Sequence, residues 1–271
     1  MSVTLISFST KEYSLSQRLL NTSARLCGVD NCISYTREDL LKTEFYRQHS
    51  NILDEKRGAG YWLWKPYYIL ETLNSLNEGD NLVYADSGIL FWKNIKPLTD
   101  LVKDGNGIAL FYNAYQMKCY TKRDLFIALD CDREPYLSAP LVHAGLQVYR
   151  KSPNAISFLE EVLKYATQRT LITDDINKSG KPNFEGFIEH RHDQSIFALT
   201  AHKNKITIYL DPTEYRMKNA DFIITEGDKF QIQPRYGSIA YVHRYTNKRI
   251  LCLWIDFMRK CFSRKKTIPT R

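Results

Sequence analysis

Three ionisable side chains stand where local sequence could make them chemical. Asp86 ends an apolar run, Leu82-Val83-Tyr84-Ala85, and is followed by Ser87-Gly88. Such a run reads as a strand covered on both faces, and ligands of open α/β sheets sit just past carboxyl strand ends. Lys65 lies upstream, at the start of a segment whose Ile69, Leu70, Leu73 and Leu76 fall on one helical face. Pro66 suits that first turn, and Gly79 marks a stop. Asp193 lies about a hundred residues on, in His190-Arg191-His192-Asp193-Gln194, just before an apolar helix over 195–201.

These residue types suit work on a phosphorylated substrate. Asp86 can hold a divalent cation, which needs only one or two protein carboxylates beside phosphates and water; equally, Asp-Ser-Gly is an ordinary turn composition. Lys65 can meet a phosphate or be a solvated surface lysine. Asp193 can act as a base, orient a donor, or cap the helix that begins at Gln194. His192 and His243 are candidate metal or phosphate contacts, and Arg191 and Arg244 further phosphate contacts. Tyr61, Trp62 and Trp64 follow Gly58 and Gly60, and this cluster either plugs a core or walls a flat-ligand pocket.

The stretch Gly58-Ala-Gly-Tyr-Trp-Leu-Trp-Lys-Pro66, a helix, then Tyr84-Ala-Asp-Ser-Gly88 resembles bacterial polysaccharide glycosyltransferases of the GT-A type. His190 to Phe197 resembles the second signature of that group more loosely. The resemblance implies an α/β GT-A-like nucleotide-binding fold, with a central mostly parallel sheet flanked by helices. It also implies transfer of a sugar from a nucleotide-sugar donor to a lipid-linked or lipopolysaccharide glycan, helped by Mn²⁺ or Mg²⁺. On that basis Ser9, Trp64, Lys65, Tyr84, Asp86 and Arg191 are expected donor contacts. His143 and Gly145 are expected acceptor contacts, with a partly buried, satisfied histidine as the alternative for His143. Asp86 and His243 are expected metal ligands, and Asp193 the catalytic group. Many GT-A enzymes carry Asp-x-Asp at the strand end; here Tyr84 stands at the first position and Asp86 remains as the carboxylate.

The remaining elements must position these groups. Val3–Phe8 reads as a first strand, with Ser9 at its ligand edge. A helix over 14–26 should have Leu15, Leu19, Leu20 and Leu26 inward, and a strand over 32–36 completes a β-α-β opening. No Gly-x-Gly-x-x-Gly appears, so a dinucleotide fingerprint is not supported. Further strands are expected over 107–112, 139–149, 206–210 and 238–245, and an amphipathic helix over 152–167. The polar stretch 170–187, with Gly180, Pro182 and Gly186, reads as a loop able to act as a lid.

The 271 residues, 44% of them hydrophobic, support a sizeable core. Six cysteines show no zinc spacing and are expected to be reduced thiols of a cytoplasmic protein. No signal peptide is recognised. Residues 247–271 hold eight Lys or Arg against one Asp, nearly all of the net charge of +8. A near-neutral body argues against nucleic acid as a partner. The chain is therefore expected to divide into a catalytic domain, 1–246, and a basic amphipathic tail, 247–271. A helix over 249–264 in that tail would lie on an anionic membrane at the inner face of the cytoplasmic membrane, or pack on the body. Two rival functions are a metal-dependent nucleotidyltransferase and a non-enzymatic surface-binding module.

Overall fold

The computed structural model describes residues 1–103, 106–215, 236–250 and 252. Six strands form the main sheet: β1 (Val3–Ser9), β2 (Asn31–Thr36), β3 (Asn81–Ala85), β5 (Ile108–Gln116), β6 (Pro140–Arg150) and β7 (Ile208–Tyr209). Their order is β2-β1-β3-β6-β5-β7. Five run in one direction, and β6 runs against them between β3 and β5. A small second sheet pairs β4 (Ile89–Phe91) with β8 (Ala240–Val242). The expected α/β architecture with a mostly parallel sheet is therefore present.

Alternation along β3 sets up both faces. Leu82 and Tyr84 enter one core, shared with helices Trp64–Ser75, Pro153–Ala166 and His192–Lys203. Val83 and Ala85 enter the other, under helix Ser14–Leu26 and the small sheet. A period of two then brings Asp86 back to the side of Tyr84. Every residue of β3 is buried, as its apolar run requires.

Helix Ser14–Leu26 spans the expected residues, and Leu20 points inward as expected, but the other three leucines do not. Ser16, Gln17, Leu20 and Ala24 are its buried side, whereas Leu15 and Leu19 are exposed and Leu26 is 83% exposed. The inner face tolerates polar groups because they are paired. Gln17 Nε2 donates to Ser7 Oγ, and Ser9 Oγ donates to Gln17 Oε1. Ser16 Oγ donates to the Tyr245 carbonyl.

Gly58 to Trp62 form a turn of left-handed backbone, with φ of 57°, 51°, 102°, 51° and 58° in succession. Ala59, Tyr61 and Trp62 each cost roughly 1–2 kcal/mol there. Tyr61 and Trp62 recover part of this by packing on the His192 ring, at 4.8 and 5.6 Å between centroids. A Cβ on Gly60 would lie 2.6 Å from Leu53 Cα, so the glycine is required by both conformation and space. The turn ends where helix Trp64–Ser75 begins and so places Lys65.

The stretch expected to act as a lid is tied down at its start. Lys122 Nζ donates to the carbonyls of Thr170, Thr173 and Asp175. Asp124 accepts from the backbone N–H of Lys178 and Ser179. Most of the expected tail helix lies outside the described residues. The short turn Asn247–Arg249, just before it, is anchored to helix Ser14–Leu26, Asn247 Oδ1 accepting from Leu15 N–H. Among the described residues no helix is long and apolar enough to cross a membrane.

The left-handed turn yields a comparison. Gly180 also has positive φ, at 74°, but open space around its missing Cβ. Gly180→Ala should cost about 1–2 kcal/mol of unfolding free energy. Gly60→Ala should cost clearly more, because Leu53 backbone must also move. Urea unfolding of the two variants checks this; equal losses would mean that the Leu53 contact carries no energy.

Candidate active site

Lys65 is the centre of the site. Its side chain is only 3% exposed, and Nζ lies 2.6 Å from Asp193 Oδ2 and 3.7 Å from Asp86 Oδ1. It is therefore not a surface lysine. Burial pulls its pKa down, but the carboxylates of Asp193 and Asp86 outweigh this and leave it raised. A buried cation between two anions is what makes their approach tolerable.

The two aspartates differ in environment. Asp86 is about half exposed. Its Oδ1 accepts a 2.5 Å hydrogen bond from Tyr84 OH. Tyr84 itself is buried, with the Lys65 ammonium 5.3 Å from its ring centroid. The residue at the first position of the strand-end motif thus serves the second by aiming its carboxylate. Asp193 sits in the first turn of helix His192–Lys203 and is 6% exposed. Burial, opposed by Lys65 and reinforced by Asp86, raises its pKa to about 6. At neutral pH Asp193 is ionised and close to the range useful for a base.

Gly145 owes its place to Asp86. A Cβ there would lie 2.7 Å from Asp86 Oδ2 and 3.2 Å from His143 Nε2. The Gly145 carbonyl also accepts from Asp86 N–H. The glycine thus makes room for the carboxylate, and it places His143 Nε2 within 6 Å of it. His143 Nδ1 lies 3.9 Å from Asp211 Oδ1, a neighbour with no sequence motif of its own. Helix His192–Lys203 is held to the same strand by Gln194, whose Nε2 donates to the Val142 carbonyl.

His243 meets the site from the other sheet. Its N–H donates to the Gly88 carbonyl, and a Cβ on Gly88 would lie 2.2 Å from its own carbonyl oxygen. The chain after β8 therefore lies directly on the Asp86-Ser87-Gly88 turn. His243 is buried, its Nε2 has no hydrogen-bond partner among the described residues, and burial lowers its pKa to about 4. Its Nδ1 accepts from Tyr245 N–H, so the neutral ring carries its proton on Nε2 and offers no lone pair as it stands; a divalent cation here would rest on the half-exposed Asp86 carboxylate. Among the described residues no three His, Cys, Asp or Glu converge. Such a cation would draw its other ligands from phosphate and water.

The other expected contacts are engaged with partners of their own. Trp64 is core, stacked on Phe8 at 4.0 Å between centroids, with Nε1 donating to the Gly58 carbonyl. Ser9 is buried in the Gln17 network. Arg191 is held between Tyr115 and Tyr120 and pairs with Glu189 at 3.2 Å. His192 is buried, its Nδ1 bonded to the Ile172 carbonyl.

Neither a family model nor a curated protein matches the sequence. Solved structures do match. Galactosyltransferase LgtC, in complex with donor and acceptor sugar analogs, aligns with a TM-score of 0.51 at 10% identity, covering 98% of this chain and 97% of its own. The fold is that of the GT-A glycosyltransferases. Mouse xyloside xylosyltransferase 1 aligns at 0.46 and 12% identity, over 90% of this chain and 98% of its own. The bifunctional glycosyltransferase WbbM aligns at 0.43 and 12% identity, over 73% of this chain and 37% of its own. On this GT-A fold, Asp86 stands at the carboxyl end of β3, beside the first antiparallel pairing of the sheet.

The raised pKa of Asp193 has a signature in stability. Its ordinary value is 3.8 and its folded value about 6, so between these the native state holds a proton that the unfolded chain releases. This contribution is therefore present at low pH and lost as pH rises from about 4 to about 6, on the order of 1–3 kcal/mol. Urea unfolding of wild type and Asp193→Asn from pH 4 to 7 measures it. The wild type should lose stability relative to the variant across that range; parallel curves would place the titration elsewhere.

Proposed function

We propose that the chain is a nucleotide-sugar-dependent glycosyltransferase that builds a bacterial surface polysaccharide. The observation that carries the reading is the Asp86–Lys65–Asp193 cluster at the carboxyl end of β3. It combines an accessible carboxylate, a buried fixed cation and a second carboxylate raised toward neutrality. The GT-A fold and the sequence resemblance support the choice of a sugar donor.

In this reading Asp86 would hold Mn²⁺ or Mg²⁺, and His243 would join it only once its ring gives up the Tyr245 N–H contact. When bound, the cation neutralises charge developing on the departing nucleoside diphosphate. Tyr84 and Gly145 keep the Asp86 carboxylate in place. Lys65 holds the two carboxylates together and supplies positive charge beside the phosphates. Asp193, ionised at neutral pH, orients the reacting sugar or takes a proton from the acceptor hydroxyl. The acceptor we assign is a lipid-linked or lipopolysaccharide glycan, met at the cytoplasmic face of the membrane. The basic composition of residues 247–271 supports that assignment.

Asp86→Asn tests the reading. Asp86 is half exposed, so the fold should survive, while metal-dependent hydrolysis of the active nucleotide-sugar should fall at least a hundredfold. The measurement is nucleotide release from a panel of nucleotide-sugars, with Mn²⁺, Mg²⁺ or chelator. Release of nucleoside diphosphate fits glycosyl transfer, whereas pyrophosphate would indicate nucleotidyl transfer. Near-normal turnover by Asp86→Asn would reduce Asp86 to a turn residue.

A further inference from the structure

Beyond the carboxylate cluster, an aromatic pair stands at the far end of β5. Tyr115 is 42% exposed. The Arg191 guanidinium lies 4.2 Å from its ring centroid and 4.3 Å from that of Tyr120. The two rings meet edge to face at 4.9 Å. Glu189 pairs with the same guanidinium. With two ring faces and a carboxylate around it, Arg191 is engaged as a brace rather than poised for a phosphate.

The brace is rigid. Arg191 N–H and Ser195 Oγ both donate to the Tyr120 carbonyl, and Ile188 N–H donates to that of Cys119. The segment after β5 is thus fastened to the start of helix His192–Lys203, two residues from Asp193. What Tyr115 offers is a fixed ring face, a large contact at low entropic cost.

Its position selects the ligand. The β-α-β opening that suits a nucleotide lies on the β1–β2 side of Asp86. Tyr115 lies on the other side, two strands across. There β5 and β6 run past the end of β3: Asn113 pairs with Leu141, while Ala85 already pairs with Leu146. Five residues of overhang make a wall of about 16 Å, longer than a single sugar ring. We propose that Tyr115, braced by Arg191 and Tyr120, is a stacking platform for a distal sugar ring of an oligosaccharide acceptor. The C–H face of a pyranose is apolar and flat enough to cover an exposed tyrosine ring. The assignment to an acceptor rests on the transferase reading of the Asp86 cluster; the sugar platform itself does not.

The test is binding to an immobilised panel of oligosaccharides of one to six residues, with nucleotide-sugar hydrolysis measured in parallel. Wild type should bind some members of two residues or more. Tyr115→Ala should bind those at least tenfold more weakly and hydrolyse the donor as before. Tyr115→Phe should bind as wild type, because the ring face and not the hydroxyl is used. Unchanged binding by Tyr115→Ala, or no glycan binding by a wild type that hydrolyses a donor, overturns the platform. A loss of donor affinity in Tyr115→Ala also overturns it and assigns the ring to a nucleobase. Glycan binding that depends on Tyr115 without any donor hydrolysis would keep the platform and sink the transferase reading.

Discussion

Two carboxylates at one strand end repel, and desolvating them makes the repulsion worse. Lys65 resolves this. Removing a lysine from water costs several kcal/mol, and so does burying a carboxylate; their attraction offsets this only when both stay in contact. The contact here is 2.6 Å with Asp193 and 3.7 Å with Asp86. The elements around Lys65 serve this requirement. Helix Trp64–Ser75 carries the ammonium, helix His192–Lys203 brings one carboxylate, and β3 brings the other. The first helix and β3 are consecutive in the chain, whereas helix His192–Lys203 comes much later, so the site is complete only when that helix packs.

The left-handed turn before Lys65 belongs to the same constraint. Three non-glycine residues in that region oppose folding, and a regular helix would avoid the cost. A regular helix would also carry the aromatic rings away from His192, itself at φ 50°. With the turn in place, Tyr61 and Trp62 touch the residue beside Asp193. The two sequence signatures thus meet through backbone strain on both sides, and the ion pair they enclose is what the strain secures.

Much of this was legible in the chain. The apolar run of β3 announced a buried strand, and period two explains why Asp86 returns to the Lys65 side. The pair of glycines before Tyr61 marked an unusual turn. What pattern could not show was pairing across sequence distance. Leucine content placed Leu20 correctly but turned Leu15, Leu19 and Leu26 inward too, because the hydrogen bonds that make Ser16 and Gln17 good core residues come from Ser7, Ser9 and Tyr245. Lys65 looked equally suited to solvent, since both its partners are remote. Gly145 carried no sign that the space it leaves belongs to Asp86.

The substitution of tyrosine for an acid before Asp86 changes the electrostatics more than the shape. A second carboxylate at position 84 would sit fully buried, facing Lys65 already shared by two others, and its charge would be uncompensated. Tyrosine donates a hydrogen bond instead, and burial with the nearby Asp86 charge keeps its hydroxyl protonated. The site therefore carries one exposed anion where a paired-acid motif carries two. A cation bound at this strand end would thus lean on the Asp86 carboxylate and take its remaining ligands from phosphate and water.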